Sequence, residues 1–242
     1  MRCWAATDVV TGTLRAMPAP LEPTVGWGVL HLFCKVGPFA DAAAVTAAVK
    51  AAEADDHQVV AAAMLGHKAD LALMALGPDL WRLRRLQTEL GEAGLDVVDS
   101  YVSLTELSEY AQGVPEELKE ARLHPKLPPE GKTAFCFYPM SKRRGDAANW
   151  FTLPYDDRKD LMYAHGTTGR RYAGRVTQVI SGAIGFDAWE WGVTLFAADP
   201  LEFKRIVTEM RFDEVSANYA EFGEFHVGRV IAPEAWLASV VG

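Results

Sequence analysis

Short apolar stretches alternate with segments of helical character along the first half of the 242-residue chain. The stretch 26–36 (GWGVLHLFCKV) has the apolar character of a buried strand, and 41–54 is rich in alanine, the residue with the highest helix propensity. Leu80, Leu83 and Leu86 recur at helical spacing. The pattern predicts strands at 26–36, 58–65, 71–76 and 96–104 and helices at 41–54 and 80–90, in the order β-α-β-β-α-β.

The same order returns after a polar connector that carries Pro115, Pro125, Pro128 and Pro129. The segment LALMALGPDLWRLRRLQTEL, which starts at residue 71, parallels GVTLFAADPLEFKRIVTEM, which starts at residue 192. Each is an apolar strand, a turn with Asp and Pro, and a helix that ends in Thr-Glu. The second half is predicted to have strands at 133–140, 175–184, 189–197 and 222–230 and helices at 153–165 and 200–210.

Two consecutive β-α-β-β-α-β units predict an α+β fold made of two ferredoxin-like halves. One face of each sheet is covered by helices, so the two bare faces must meet, and the product is a dimeric α+β barrel within one chain. A pair of independent ferredoxin-like domains is the alternative. The space between two sheets is also a natural place for a flat apolar ligand. We expect an N-terminal arm at 1–25, a first half at 26–110, a connector at 111–132 and a second half at 133–242.

Composition narrows the class of protein. Half of the residues are hydrophobic and 23% are charged, which is typical of a soluble globule. Cys3, Cys34 and Cys136 cannot all pair and form no C-x-x-C motif, so neither a disulfide scaffold nor a zinc ribbon organises the fold. The formal net charge of −8 disfavours nucleic acid as a partner. No run reaches the length of a membrane span and no signal peptide is recognisable, so we expect a cytoplasmic protein.

The stretch FCFYPMSKRR puts three chemically useful side chains, Tyr138, Ser141 and Lys142, at the end of a predicted strand. Side chains at a strand end point into a cleft or into solvent. Arginine and lysine beside an aromatic hydroxyl suit the binding of a carboxylate. A charge run such as Lys142, Arg143 and Arg144 is also typical of a plain solvated surface, and the pattern leaves both interpretations open.

His165 lies at the end of a predicted helix, with Gly166 next to it as the residue that would end the helix. One interpretation is structural, because the C-terminal end of a helix dipole favours an imidazolium. The other is a metal or haem ligand, in which one ring nitrogen binds iron and the other is fixed by a hydrogen-bond acceptor.

The other histidines carry weaker signals. His31 and His226 lie in strands, His57 and His67 in turns, and His124 in the connector. No H-x-x-x-H pair occurs, so a zinc hydrolase has little support. The stretch GTTGRRYAG lacks the strand-turn-helix context of a phosphate-binding loop.

Three long motifs of the second half resemble one known family. They are YPMSKRR, NWFTLPYDDRKDLMYAHGTTGRRYAGRVTQVISG and EWGVTLFAADPLEFKRIVTEMRFDEVSANYAEFGEFHVG. Together they resemble the chlorite dismutase family, and specifically its coproheme decarboxylase branch, the HemQ type. The resemblance is close over about the last 120 residues and extends to the first half in pattern only. It implies a dimeric α+β barrel, assembled as a homopentamer, with porphyrin in the C-terminal half.

The resemblance also implies roles for individual residues. His165 matches the iron ligand of the family. Tyr138 matches the tyrosine that forms a radical during decarboxylation, and Lys142 matches the lysine near the reacting propionate. Arg122 and Ser216 match positions that contact propionates, although the connector around Arg122 varies in length. The resemblance implies porphyrin contacts at Arg122, Tyr138, Pro139, Met140, Ser141, Lys142, Gln178 and Ser216.

Gln178 separates the branches of the family. It lies 13 residues after His165, where true chlorite dismutases carry an arginine and the decarboxylase branch carries glutamine. A neutral amide cannot supply the positive charge that would hold a hypochlorite intermediate. Chlorite dismutation is therefore the second choice, and a haem-binding protein without turnover is a third. Another decarboxylase branch has a distal histidine from the connector, where His124 lies, but SKRR and Gln178 fit the glutamine type better.

The activity implied is oxidative decarboxylation of Fe-coproporphyrin III (coproheme) by hydrogen peroxide. Haem b forms through a three-propionate intermediate, as the last step of the coproporphyrin-dependent route. Coproheme is both the cofactor-like group and the substrate, and the ferrochelatase that supplies it is an expected partner. Arg122, Lys142 and Ser216 are expected at the rim of the pocket, and Met140, Trp150, Ile180, Phe186 and Trp191 are candidates for its apolar walls.

Overall fold

The computed structural model describes residues 19–241, and the first half follows the predicted order. Asp41 begins the first helix by accepting hydrogen bonds from the backbone N–H groups of Ala43 and Ala44, and Asp79 caps the second in the same way. Most of the predicted arm lies outside the described residues. The elements are β1 (Gly28–Val36), α1 (Ala42–Ala54), β2 (Gln58–Met64), β3 (Leu71–Gly77), α2 (Leu80–Glu92) and β4 (Leu95–Thr105).

The connector contains a helix that the sequence pattern did not predict, α3 (Glu116–Leu123). Pro115 precedes the helix, Glu116 and Glu117 lie in its first turn, and Arg122 lies in its last turn. None of the residues of α3 is buried. Acidic residues at its start and a basic residue at its end complement the helix dipole and so stabilise the helix.

The second half contains every predicted element, with two changes of boundary. The predicted helix end at Gly166 is wrong, because the helix continues to Arg170. The predicted strand 222–230 is two strands, separated by residues 223–225. The elements are β5 (Ala134–Lys142), α4 (Tyr155–Arg170), β6 (Val176–Gly182), β7 (Trp191–Ala197), α5 (Leu201–Met210), α6 (Glu214–Tyr219), β8 (Ala220–Phe222), β9 (His226–Ile231) and α7 (Trp236–Val241).

The strands close into a ring. The order β7-β6-β4-β1-β3-β2-β9-β5 closes through a further pairing of β5 with β7, and β8 extends along β5. The two halves join where β2 pairs with β9 and where Leu104 and Thr105 of β4 pair with β6. Gly228 lies so close to the backbone of Ala63 that a side chain has no room at this junction. The predicted α+β class is therefore confirmed, and the two halves contribute strands to one closed ring, as expected of the barrel and not of two independent domains.

Side chains fill the interior of the barrel. Phe33, Phe135, Phe137 and Phe196 pack there with Met74 and residues from both halves. The predicted place for a flat ligand, between the two sheets, is therefore wrong, because side chains occupy this space. Two further cores lie outside the ring, one beneath α1, α2 and α7 and one on the outer face of the C-terminal half. None of the helices in residues 19–241 combines the length and the apolar character that a membrane crossing requires.

Candidate functional site

The outer face of β5, β6 and β7 is incompletely covered by α4. The helix is 16 residues long, yet none of its residues is buried. Ile180, which points outward from β6, remains 51% exposed beneath it. An amphipathic helix that packs directly on a sheet buries its apolar stripe. The loose packing indicates space between α4 and the sheet for something other than protein.

His165 projects from α4 and is held by a carboxylate. Its Nδ1 lies 2.8 Å from Oδ2 of Asp213, and both side chains are largely buried. The other oxygen of Asp213 accepts a hydrogen bond of 2.9 Å from the backbone N–H of Ser216 and so begins α6. A neutral imidazole that donates from Nδ1 presents its lone pair at Nε2. This is the arrangement that metal-binding histidines use, with the carboxylate fixing the ring.

Tyr138 lies in the middle of β5 and faces outward, toward the side of the sheet that α4 covers. Its side chain is 6% exposed, and its ring stacks on Phe225 with 4.4 Å between the ring centres. Burial raises the pKa of the phenol, while the positive charge of Arg211 acts in the opposite direction. The phenol therefore keeps its O–H bond at neutral pH, as required of a group that gives up a hydrogen atom rather than a proton.

Lys142 ends β5 on the same face and is 8% exposed. Its Nζ lies 4.5 Å from the centre of the Trp150 ring, a favourable position for a cation over an aromatic face. Burial lowers the pKa of the ammonium to about 8, although Asp213 and Glu190 favour the charged form. A partly desolvated cation of this kind attracts a carboxylate and exchanges a proton near neutral pH.

The strand period separates the candidates of β5 into two groups. Tyr138, Met140 and Lys142 alternate with Pro139 and Ser141, so the two groups face opposite sides of the sheet. The hydroxyl of Ser141 accepts a hydrogen bond of 3.1 Å from the backbone N–H of Glu190. Pro139 packs against Gly223. The structure thus brings Tyr138, Met140 and Lys142 together and turns the side chains of Pro139 and Ser141 away.

Gln178 occupies the sheet face beneath the C-terminal part of α4. Gln178 pairs with Leu195 of β7, and Leu195 in turn pairs with Cys136 of β5. The next outward-facing row contains Ile180, Val193 and Tyr138. The amide nitrogen of Gln178 lies near Gly169, one helical turn after His165. A Cβ at Gly169 would crowd the side chain of Met210 on α5, at 3.1 Å, so this glycine allows α4 to pack against α5. Neither Gly166 nor Gly169 ends the helix.

Two candidates of the connector lie apart from this group. Arg122 is exposed at the end of α3. The imidazole of His124 is engaged by Glu120, at 2.6 Å, and packs against Trp27. Within residues 19–241, neither side chain has a hydrogen bond or ion pair to His165, Tyr138 or Lys142. Both remain predictions as ligand contacts.

Sequence reasoning missed the residues that hold the candidates in place. Asp213 carries the local signal of a helix N-cap, but its bond to a histidine 48 positions away depends on the tertiary fold. Glu190 is buried, and its carboxylate accepts a hydrogen bond of 2.7 Å from the backbone N–H of Lys142. Neither contact has a signature in the local sequence.

The grouped residues have complementary chemistry. The described residues place a histidine bonded to a carboxylate, a buried phenol and a buried amine around one loosely covered sheet face. These donors suit an iron porphyrin with acidic side chains. The histidine offers a nitrogen to iron, Ile180 offers an apolar surface to the macrocycle, and Lys142 offers a cation to a carboxylate.

Comparison with known proteins agrees with this geometry. The family model for chlorite dismutase matches residues 40–231. A solved structure described as a novel heme-binding protein from Thermus thermophilus is 40% identical, with 92% of this chain and 99% of that chain covered and a TM-score of 0.80.

More distant structures share the fold. Two structures of chlorite dismutase from Candidatus Nitrospira defluvii, a doubly substituted variant and a complex with imidazole, are each 15% identical with a TM-score of 0.71. They cover 91% of this chain and 98% and 97% of their own chains, respectively. The family match spans most of the chain, and the Thermus protein supports it over nearly the whole length. The chain belongs to the chlorite dismutase family.

Proposed function

We propose that the protein is a coproheme decarboxylase, which converts Fe-coproporphyrin III to haem b with hydrogen peroxide. One observation carries the proposal: the phenol of Tyr138 and the ammonium of Lys142 are buried on the same face of β5, below the helix that holds His165. A protein that only binds haem needs the histidine but does not need a buried phenol and a buried amine on the same strand face. The name of the Thermus protein, a relative that is 40% identical, supports haem binding by this chain.

The residues fit a tetra-anionic porphyrin. His165 would hold the iron through Nε2, with Asp213 fixing the ring from the other side. Lys142 would hold a propionate close to Tyr138, since both lie on β5 with one outward-facing residue between them. Ser216, next to the carboxylate that holds His165, is a further candidate for a propionate contact. Ile180 and Met140 would line the macrocycle.

The balance of the reaction defines what the protein must supply. Each propionate loses carbon dioxide and becomes a vinyl group, a two-electron oxidation, and one peroxide is reduced to two waters. Atoms and charge in this reaction balance only if each propionate that reacts as a carboxylate also consumes one proton. His165 would hold the iron, which would activate the peroxide as the two-electron oxidant. Two such cycles lead from coproheme to haem b.

The chain's own groups carry the remaining steps. Tyr138 would give up a hydrogen atom to the first oxidising equivalent of the peroxide, and the resulting phenoxyl radical would remove a hydrogen atom from the β-carbon of the neighbouring propionate. The phenol is thereby restored. The second oxidising equivalent of the same peroxide takes one electron from the substrate radical as carbon dioxide leaves and the vinyl group forms. Lys142 orients the carboxylate and, with its lowered pKa, is suited to supply the proton.

Gln178 supports decarboxylation over chlorite dismutation. Its amide is neutral, and it lies on the sheet face below α4. Chlorite dismutation would benefit from a cation there to retain an anionic hypochlorite intermediate. Assembly as a homopentamer and a supplying ferrochelatase are parts of the proposal that rest on the family resemblance. A cytoplasmic location is a further part of the proposal.

Two variants test the assignment. Tyr138→Phe keeps the ring and its stacking on Phe225 but removes the hydrogen atom that the mechanism uses. We expect it to bind ferric coproheme with unchanged affinity and to form no vinyl product with peroxide. His165→Ala should lose the ligand-dependent absorption spectrum and bind coproheme more weakly. Normal product formation by Tyr138→Phe, or an unchanged spectrum of His165→Ala, would refute the corresponding role.

A further inference from the structure

The strand that faces Tyr138 carries one extra residue. Phe137 of β5 pairs with His226 of β9, and Met140 pairs with Phe222 of β8. Between these pairs β5 has two residues, whereas the opposite segment 223–225 has three. This is a β-bulge, a feature that redirects side chains and recurs beside active sites. The bulge thus lies directly opposite the phenol of the proposed reaction.

The bulge brings the ring of Phe225 onto Tyr138. The backbone N–H of Gly223 donates a 2.8 Å hydrogen bond to the carbonyl of Pro139. A Cβ at Gly223 would lie 2.6 Å from the ring of Pro139, so only glycine permits this approach. The chain then turns so that Phe225 stacks on Tyr138, with 21° between the ring planes. One face of the phenol is therefore covered by a ring on the bulge.

The other half of the barrel holds the bulge in place. Lys68 lies in the turn between β2 and β3, and its Nζ donates a 2.9 Å hydrogen bond to the carbonyl of Phe225. In the same turn, the backbone N–H of Leu65 donates to the carbonyl of Val227 at 2.8 Å. The ion pair of Lys68 with Glu224 is exposed on the glutamate side and adds little. Of the two contacts that the Lys68 ammonium makes here, the hydrogen bond to the Phe225 carbonyl is the partly buried one.

We propose that Lys68 is a positioning residue for the reaction of Tyr138. By holding the backbone of Phe225, Lys68 keeps the aromatic ring of that residue against the phenol and fixes the direction in which the phenol points. Hydrogen-atom transfer from a fixed carbon demands such accuracy, because a misplacement of about 1 Å is enough to cost roughly 100-fold in rate. The catalytic consequence rests on the proposed function, whereas the structural effect on Tyr138 does not.

The first test observes Tyr138 directly, without porphyrin. Site-specific incorporation of 3-fluorotyrosine at position 138 of the full chain gives one ¹⁹F NMR signal, which reports the surroundings of the ring. Lys68→Met removes the donor but keeps the length of the side chain, and Phe225→Leu removes the stacked ring. Both variants should shift the signal in the same direction or broaden it. Lys68→Arg, which keeps a cationic donor, should restore most of the wild-type signal.

A matched control separates this effect from general loss of an ion pair. Lys50 pairs with Glu234 at 2.9 Å between α1 and the turn before α7, on the far side of the N-terminal half. Lys50→Met should leave the ¹⁹F signal where it is. A signal that stays in place in Lys68→Met, while it moves in Phe225→Leu, would overturn the positioning role.

The second test measures turnover. With coproheme and peroxide, Lys68→Met should lower kcat about tenfold and change the KM for coproheme less than about twofold, because positioning acts on the reacting geometry and not on binding. An unchanged kcat in a variant whose fluorine signal has moved would overturn the catalytic consequence. If the wild-type protein forms no vinyl product, the proposed function fails, and the fluorine comparison still decides whether Lys68 positions Tyr138.

Discussion

Replacing Lys142 by methionine should stabilise the porphyrin-free protein at neutral pH. Burial lowers the pKa of this ammonium from its ordinary value of 10.5 to about 8. At about 1.4 kcal/mol for each pKa unit, the free energy of unfolding is reduced by about 3 kcal/mol. The contact with Trp150 offsets this by ~1 kcal/mol. Since methionine has a similar shape and no charge, Lys142→Met should gain about 2 kcal/mol at pH 7.

The gain should depend on pH in a defined direction. Between pH 8 and 10.5 the unfolded chain binds a proton at Lys142 that the folded protein has released, so stability rises with pH in this range. The penalty of the wild-type lysine is fully present below pH 8 and disappears above 10.5. The advantage of Lys142→Met should therefore fall from about 2 kcal/mol at pH 7 to about 1 kcal/mol at pH 9.5.

Urea unfolding followed by tryptophan fluorescence at the two pH values measures this difference. Lys159, which is exposed on α4, supplies the control, and Lys159→Met should change stability little at either pH. The same Lys142→Met protein should decarboxylate coproheme poorly, because the propionate loses its cation. The reasoning is refuted if Lys142→Met is less stable than wild type at pH 7, or if its gain is equal at both pH values.

Two further changes test the carboxylate behind His165 and the polar interior of the barrel. Asp213→Asn removes the charge and leaves one acceptor oxygen where the carboxylate serves both Nδ1 of His165 and the N–H of Ser216. Affinity for ferric coproheme should therefore fall about 10-fold to 100-fold in an absorption titration, and unchanged affinity would argue against the role of Asp213. Burial and the charge of His226 lower the pKa of His31 to about 3. As the pH drops from 6.5 toward 3, the unfolded chain binds a proton at His31 that the folded protein does not bind, so the stability of the folded protein falls. His31→Gln should lose about 2 kcal/mol less than wild type between pH 6 and pH 4 in urea unfolding, and an equal loss would contradict this.

Most of the fold was predictable because its signals are local. Apolar runs and helical spacing set the order of strands and helices, and the repeat of that order indicated two similar halves. What the pattern missed depends on tertiary contacts. The glycine at 166 suggested a helix end, but the helix continues through it, and Gly169 allows α4 to pack against Met210. The bulge at 223–225 depends on Pro139 and Lys68, which are remote in sequence.

The candidate site was predictable only in part for the same reason. Tyr138 and Lys142 share a face because a strand has a period of two, and that period also turns Pro139 and Ser141 away. Asp213 carries the mark of a helix cap and nothing that connects it with His165. Long motifs identify a family, but the groups that tune its reactive residues emerge only when the chain is folded.

The most direct test of the account follows the mass of the porphyrin. The purified protein is mixed with ferric coproheme and titrated with hydrogen peroxide, and the porphyrin products are separated and weighed by mass spectrometry. We expect two successive products, each lighter than its precursor by carbon dioxide and two hydrogen atoms, the second being haem b, and neither without peroxide. Recovery of intact coproheme, or bleaching without any vinyl product, would contradict the proposed function.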